Sequence, residues 1–136
     1  MRLEQLTLKI EAAGLATRGV DLFQQFMPAT VEHGIVLLPS LAGSPINWQL
    51  PGWQKANNFQ LLVRHASIKV GYDLIQNVSN AITSLTYETL PAIPPDIPAI
   101  NTLYVRPKHD IVILPRSPSN YFEFSQNFEV TYATVI

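Results

Sequence analysis

The sequence predicts an α+β fold in which an antiparallel β-sheet is flanked by two main helices. Two stripes of apolar residues at three- and four-residue spacing indicate the helices. A sustained alternation of apolar and polar residues over residues 122–132 indicates a long strand with one face against a core. Because the strands come in runs, this order favours an antiparallel sheet. The length of 136 residues fits one domain spanning residues 1–136.

The two helices are predicted near the N-terminus and in the middle of the chain. Leu6 and Ile10 share one stripe of a helix over about residues 2–13. The second helix is predicted over about residues 67–85, with Gly71 inside it. That glycine weakens the helix by about 1 kcal/mol relative to alanine, which close packing against a strand would explain. The apolar stripe predicted for the second helix consists of Val70, Leu74, Val78, Ala81, Ile82 and Leu85.

The strands are predicted from apolar runs bounded by glycine or proline and from alternation. In the last strand, Phe124 and Phe128 face the core and Ser125 faces solvent. Gln126 interrupts the apolar face, so the sequence allows a β-bulge near it. Residues 107–109 form a hairpin-length loop between the two strands before the last. The strands are predicted over residues 34–38, 59–65, 100–106, 110–115 and 120–135.

A long connection over residues 39–57 contains three prolines, two glycines and both tryptophans, Trp48 and Trp53. Long ordered loops are usually functional. One interpretation is a contact arm whose tryptophans dock on a neighbouring subunit. The other is a loop folded back over its own core, and the sequence leaves both open. A second connection, over residues 91–98, is too rich in proline for a helix or a central strand.

The charge composition is unusual for a small protein. Charged residues make up 14% of the chain, against about a quarter in an average domain. Such a surface is expected either to be covered in part by a partner or to be polar but uncharged. The net charge of −1 gives no strong field for nucleic acid or an anionic membrane, and no apolar run reaches the length of a membrane span. With no cysteine, disulfides and thiolate metal sites are excluded.

The search for catalytic or metal-binding motifs gives no positive signal. None of His33, His65 and His109 has a second ligand at metal-binding spacing on one helix face. No phosphate-binding glycine loop and no Gly-x-Ser-x-Gly elbow occurs. We therefore expect neither an enzyme nor a cofactor. The competing hypothesis is a small enzyme or ligand-binding domain that uses residues 39–57 as a lid.

Several short motifs occur in an order that resembles one protein family. Leu50-Pro51-Gly52-Trp53 is followed, after five residues, by Phe59-Gln60-Leu61-Leu62-Val63-Arg64 and then by the pair Gly71-Tyr72. These segments resemble a recurrent signature of bacteriophage tail-terminator proteins, also called tail completion or minor capsid proteins. The further segments that resemble this family are Tyr104-Val105-Arg106-Pro107, Ile113-Leu114-Pro115, Ser119-Asn120 and Glu123-Phe124-Ser125-Gln126-Asn127-Phe128.

The resemblance implies a structural protein of the phage neck. It implies a homohexameric ring that caps the tail tube, stops its polymerisation and joins the head-completion, or stopper, proteins. Viral DNA would pass through the lumen without specific binding, and no membrane, catalytic residue or cofactor would be involved. The protein would reside in the virion, and in the host cytoplasm during assembly. A related head-to-tail connector of similar architecture is the alternative.

On this interpretation, four residues are candidates for the contacts between subunits. Tryptophan and arginine are the usual anchors of protein interfaces. The candidates are Trp48, Trp53, Arg64 and Arg106.

Overall fold

A computed structural model describes residues 3–28, 30–39, 55–85, 87–114 and 121–134. These residues form a mixed α/β fold with two helices and a seven-stranded sheet. In chain order the elements are α1 (Leu3–Ala12), β1 (Leu22–Gln24), β2 (Gly34–Pro39), β3 (Lys55–His65), α2 (Ile68–Thr83), β4 (Thr89–Leu90), β5 (Ile100–Pro107), β6 (Val112–Leu114) and β7 (Phe122–Thr134).

The predicted antiparallel sheet is confirmed only in part. The strands follow the order β1-β2-β3-β7-β5-β4, and β6 also pairs with β7. Every named pair is antiparallel except β1 and β2, which run parallel. The segment between residues 24 and 34 carries the chain back to the end of the sheet where β1 began, which makes the second strand parallel to the first.

The predicted hairpin through residues 107–109 is wrong. β5 and β6 do not pair with each other but lie one after the other along the same side of β7. β5 pairs with residues 128–134 of β7, and β6 pairs with residues 123–125. Between them, the Lys108 N–H donates to the Asn127 carbonyl at 2.8 Å, so the chain keeps its direction along β7. The thirteen residues of β7 are long enough to hold both strands.

No β-bulge lies at Gln126 in the pairing of β3 with β7. The register runs without interruption from Lys55 opposite Tyr132 to His65 opposite Phe122. Gln126 is buried on the apolar face, and its Nε2 donates to the carbonyl of His109 at 3.0 Å. The segment between β5 and β6 therefore accepts the amide N–H of Gln126, whereas the buried Oε1 of this side chain has no hydrogen-bond partner among the described residues. The irregularity lies in β5, at residues 102–104.

The stripe predicted for α2 is confirmed at Val78, Ile82 and Leu85, which are buried, but not at Val70. Ser67 caps the helix by accepting from the Val70 N–H at 3.3 Å. Val70 itself is 51% exposed, whereas Gly71 is buried against the ring of Phe124. A Cβ atom at position 71 would overlap that ring, so the close packing expected at this glycine is confirmed. The close approach turns Gly71, Ile75, Val78 and Ile82 towards the core.

Both helices lie on one face of the sheet and share one hydrophobic core with it. Helix α1 packs on β1, β2 and α2, and it also reaches the opposite end of the sheet. Gln5 Nε2 donates to the carbonyls of Pro91 (3.2 Å) and Pro98 (3.0 Å), and Lys9 pairs with Glu88 at 3.0 Å. The sheet is therefore curled, and α1 closes the gap between its two ends.

The face of β7 that the alternation assigns to solvent is less exposed than predicted. Ser125 and Thr131 on this face are 8% and 6% exposed. The hydroxyl of Ser125 accepts from Gln60 Nε2 at 2.7 Å on the neighbouring strand β3. In the curled sheet the side chains of adjacent strands cover one another on this second face.

Candidate assembly surfaces

A row of apolar side chains crosses the sheet on its core face and ends at an exposed residue. The register places Leu22, Ile35, Val63, Phe124 and Ile113 side by side on β1, β2, β3, β7 and β6. The first four are at most 1% exposed, whereas Ile113 is 45% exposed. Because β6 is the last strand in this direction among the described residues, the row ends at a sheet edge.

All three residues of β6 are apolar and exposed. Val112, Ile113 and Leu114, which we call the β6 strip, are 46%, 45% and 39% exposed. Alternation along a strand directs Ile113 to the core face and the other two to the second face. An exposed apolar edge strand is a site where another chain can add, and soluble proteins usually protect such edges with charge, proline or cover. None of the three strip residues supplies that protection.

The start of α2 lies at the same end of the molecule as the β6 strip. Gly71 contacts Phe124, and Phe124 is the neighbour of Ile113 across the ladder. Ile68 and Val70, in the first turn of α2, are 49% and 51% exposed. Five of the large apolar residues exposed in the described chain therefore belong to this one end.

The opposite edge of the sheet carries a cleft between α1 and β1. This β1 cleft has a volume of about 310 Å³. Phe26, 70% exposed, stands at its rim, and Val20 nearby in sequence is 68% exposed. The residues that line the β1 cleft are Glu4, Thr7, Arg18, Gly19, Leu22, Phe23, Gln24 and Phe26.

A second cleft, of about 300 Å³, lies on the other side of α1, against β4. Leu8, Ala12, Leu90 and Pro91 give it a largely apolar lining. β4 has only two residues and is followed by a proline, which lacks an N–H group. This edge is consequently a poor template for an added strand.

Arg64, a predicted interface residue, holds two parts of its own chain together. Its Nη1 donates to the carbonyls of Pro28 (3.2 Å) and Val31 (3.0 Å), and its guanidinium lies 4.6 Å from the centre of the Tyr121 ring. These contacts fasten the segment between β1 and β2 onto β3. The contact of Arg64 with another subunit remains a prediction.

Arg106 has a more open environment than Arg64. Its side chain is 62% exposed, and its Nη2 lies 3.2 Å from Glu129 Oε1 on β7. The guanidinium is 5.8 Å from the centre of the Tyr104 ring, which is itself exposed. The arginine side of this ion pair is open to solvent, so Arg106 is accessible to a partner. Its interface role also remains a prediction.

The other two predicted interface residues, Trp48 and Trp53, lie outside the described residues, as does most of the 39–57 connection. The contact-arm and folded-back interpretations of that connection both remain predictions. The two candidates that the structure describes, Arg64 on β3 and Arg106 on β5, lie at separate sites.

Two histidines stack beside the start of α2. The rings of His33 and His65 are 3.9 Å apart and nearly parallel. Burial, and then the nearby His33, lower the pKa of His65 below its ordinary value of 6.5. The Ser67 N–H donates to His65 Nδ1 at 2.9 Å, which requires that nitrogen to carry no proton. This arrangement favours a neutral imidazole packed against the helix cap.

Among the described residues, no group of three or more histidine, cysteine, aspartate or glutamate side chains is placed to hold a metal ion. In the same part of the chain no helix has the length and apolar character needed to cross a bilayer.

Sequence reasoning missed both the β6 strip and the β1 cleft. The available signal for the strip is the unbroken apolar run of residues 111–114, which does not alternate. Such a run is typical of a strand covered on both faces. In this fold the run lies at a sheet edge, where Val112, Ile113 and Leu114 are exposed.

Comparison with known proteins identifies the family of the chain. The family model described as "Bacteriophage tail terminator protein" matches residues 9–134, almost the whole chain. No curated protein matches the chain. One solved chain aligns over 100% of this chain and 97% of its own length, but its 13% identity and TM-score of 0.43 support no further argument. The match over residues 9–134 shows that the chain belongs to the bacteriophage tail terminator family.

Proposed function

We propose that the protein assembles into a closed hexameric ring that caps the phage tail tube and ends its polymerisation. On its other face the ring joins the head-completion proteins of the neck. The β6 strip carries the proposal, because it is an apolar sheet edge left exposed in a single copy. A family of tail components supplies the setting in which other subunits cover such an edge.

The composition of the chain supports assembly. Charged residues are depleted at the centres of protein interfaces, and this chain has few of them. A ring requires two different surfaces on each subunit that meet around a closed circle. The described structure offers an apolar strip at β6 and, at the opposite edge of the sheet, a cleft of mixed polarity beside β1.

The lumen of the proposed ring passes viral DNA without binding it specifically. Lysine and arginine side chains supply most of the electrostatic affinity for phosphate groups. The nine basic and ten acidic residues leave a net charge of −1, which suits passage better than retention. The protein would then act as a minor component of the virion neck, and the ring would assemble in the host cytoplasm.

Nothing in the described structure favours the competing hypothesis of a ligand site under a 39–57 lid. The two clefts border α1, and none of their lining residues belongs to β2 or β3, the strands next to that connection. No described feature distinguishes another head-to-tail connector either, whereas the family match is to tail terminators.

The proposal is tested by removing the gene from its phage and imaging the particles. We expect tails of uncontrolled length that are not joined to heads, and rescue by the wild-type gene. Val112→Asp, in the β6 strip, should fail to rescue, whereas Tyr87→Asp, at a residue 81% exposed on another part of the surface, should succeed. Tails of normal length joined to heads in the deletion would refute the function. A purified protein that is monomeric on its own would not refute the function, provided that rings form on the tail tube.

A further inference from the structure

We propose that His109 positions the β6 strip by binding β7 at the break between β5 and β6. This inference rests on the proposed function, because it names the residue that holds the strip in the place where a neighbouring subunit would contact it. The imidazole acts through the backbone of β7 and is in this sense a positioning residue.

One side of β7 pairs with two strands in succession, and the chain leaves a break between them. β5 ends opposite Phe128, and β6 begins opposite Ser125. Gln126 and Asn127 of β7 therefore face the connecting segment, residues 108–111, instead of a strand. Backbone N–H and C=O groups that are covered by protein need a hydrogen-bond partner. The hydrogen bonds across this break connect β6 to the part of the sheet that β5 completes.

His109 fills the break with both its backbone and its side chain. Its carbonyl accepts from Gln126 Nε2 at 3.0 Å, and its ring Nε2 accepts the Asn127 N–H at 3.2 Å. The side-chain Nδ2 of Asn127 lies 3.0 Å from the same ring nitrogen. The neighbouring Lys108 N–H donates to the Asn127 carbonyl at 2.8 Å. The imidazole nitrogen thus takes the place that a carbonyl oxygen of a paired strand would have.

The backbone around His109 fixes the tautomer of its ring. The Asp110 carbonyl, 2.6 Å from Nδ1, can only accept a hydrogen bond, and the Asn127 N–H can only donate one. Nδ1 must therefore carry the proton, and Nε2 must be the acceptor. His65 has the opposite arrangement, because its Nδ1 accepts the Ser67 N–H at 2.9 Å. The two histidines are consequently expected to be different tautomers in the same protein.

β6 has few other contacts that hold it in place. The strand has three residues, all of them exposed, and among the described strands it pairs only with β7. Ile111, just before it, is only partly buried against the core. Segments with few buried apolar contacts open locally at a small cost in free energy. The loss of one hydrogen bond at the break is therefore expected to loosen the β6 strip while the rest of the sheet stays folded.

Two substitutions that differ by one methylene group test the role of the ring nitrogen in the purified protein. The amide of His109→Gln reaches as far as Nε2 and supplies an acceptor there, whereas the amide of His109→Asn reaches only as far as Nδ1. Amide hydrogen exchange in β6 and at Asn127 should be about 2- to 10-fold faster in His109→Asn, the factor expected for one hydrogen bond. In His109→Gln it should be close to the wild-type rate. Nitrogen-15 chemical shifts of the wild-type rings should show Nδ1–H in His109 and Nε2–H in His65.

The same variants, introduced into the phage, connect the position of the strip with assembly. In the gene deletion, His109→Asn should lower the yield of particles with joined heads and tails several-fold, and His109→Gln should restore that yield. Ile82→Val, which removes one buried methyl group from α2, is the control for a general loss of stability. It should rescue the deletion like the wild type.

The outcomes separate this inference from the proposed function. An Nε2–H tautomer at His109, or hydrogen exchange that does not differ between His109→Gln and His109→Asn, would overturn the inference. Full rescue by His109→Asn despite faster exchange would also overturn it, because the position of the strip would then not matter for assembly. In these cases the proposed function would stand. Tails of normal length joined to heads in the deletion would refute the function and, with it, the role of His109 in assembly.

Discussion

The centre and the edge of the sheet contain the same kind of residue in opposite environments. Phe128 in the middle of β7 is fully buried and stacks on Phe59 of β3 with ring centres 5.3 Å apart. Ile113 lies on the same face of the sheet, yet it is 45% exposed. Phe128 has a strand on each side, whereas β6 pairs with β7 on one side only. The comparison indicates that the centre stabilises the single chain and that the β6 edge is available for contact between chains.

The largest expected effect comes from truncating the centre. Phe128→Ala, and also Phe124→Ala, should each lower the free energy of unfolding by about 3–5 kcal/mol, because each leaves a cavity in a packed core. Ile113→Ala should change it by about 0.5 kcal/mol or less in the single chain. Urea denaturation of the isolated protein measures all three. A loss below about 1 kcal/mol for Phe128→Ala, or an equal loss for Ile113→Ala, would remove the distinction between centre and edge.

Elements whose pattern is local were predictable from the sequence. The alternation around Phe124 and Phe128 identified β7, because a strand exposes its two faces with a period of two. Ser67 marked the start of α2, and Gly71 indicated close packing that the contact with Phe124 confirms. For β7 and the start of α2 the physical cause lies within a few residues of the pattern, whereas at Gly71 the small residue itself signals a contact with a distant strand.

Features set by distant partners were not predictable. The proline-containing segment 107–109 has the composition of a turn, but its path is fixed by Asn127, which binds the Lys108 N–H. The stripe of α2 was assigned to Val70 rather than Gly71, because a glycine contributes nothing to an apolar pattern even where a helix comes closest to a sheet. The exposure of the β6 strip depends on which strand ends the sheet, and single-chain periodicity does not contain that information.

Arg64 and Arg106 are expected to differ in the same direction, but their effects on stability should be smaller. Arg64→Met should lower the free energy of unfolding by about 1–3 kcal/mol, because the carbonyls of Pro28 and Val31 lose their donor. Arg106→Met should cost at most about 1 kcal/mol, because its ion pair with Glu129 is exposed on the arginine side. Thermal and urea denaturation compare the two variants. If Arg106→Met is the more damaging in the isolated chain, its guanidinium has a structural role that these contacts do not explain.

The smallest expected effect concerns pH at the stacked histidines. Because burial and His33 lower the pKa of His65 in the folded chain, the unfolded chain binds this proton more readily. The stability that the neutral His65 contributes should be fully present above its ordinary pKa of 6.5, the value in the unfolded chain. It should fall as the pH decreases below 6.5, until the lower pKa of the folded chain is reached.

His65→Asn, which keeps an acceptor for the Ser67 N–H, should flatten this pH dependence of stability. His33→Gln should raise the pKa of His65 towards its usual value. Urea midpoints between about pH 7.5 and 5.5, above the range where most carboxylates titrate, measure the slope, and nuclear magnetic resonance measures the pKa. An unchanged slope in His65→Asn would assign the pH dependence to other groups.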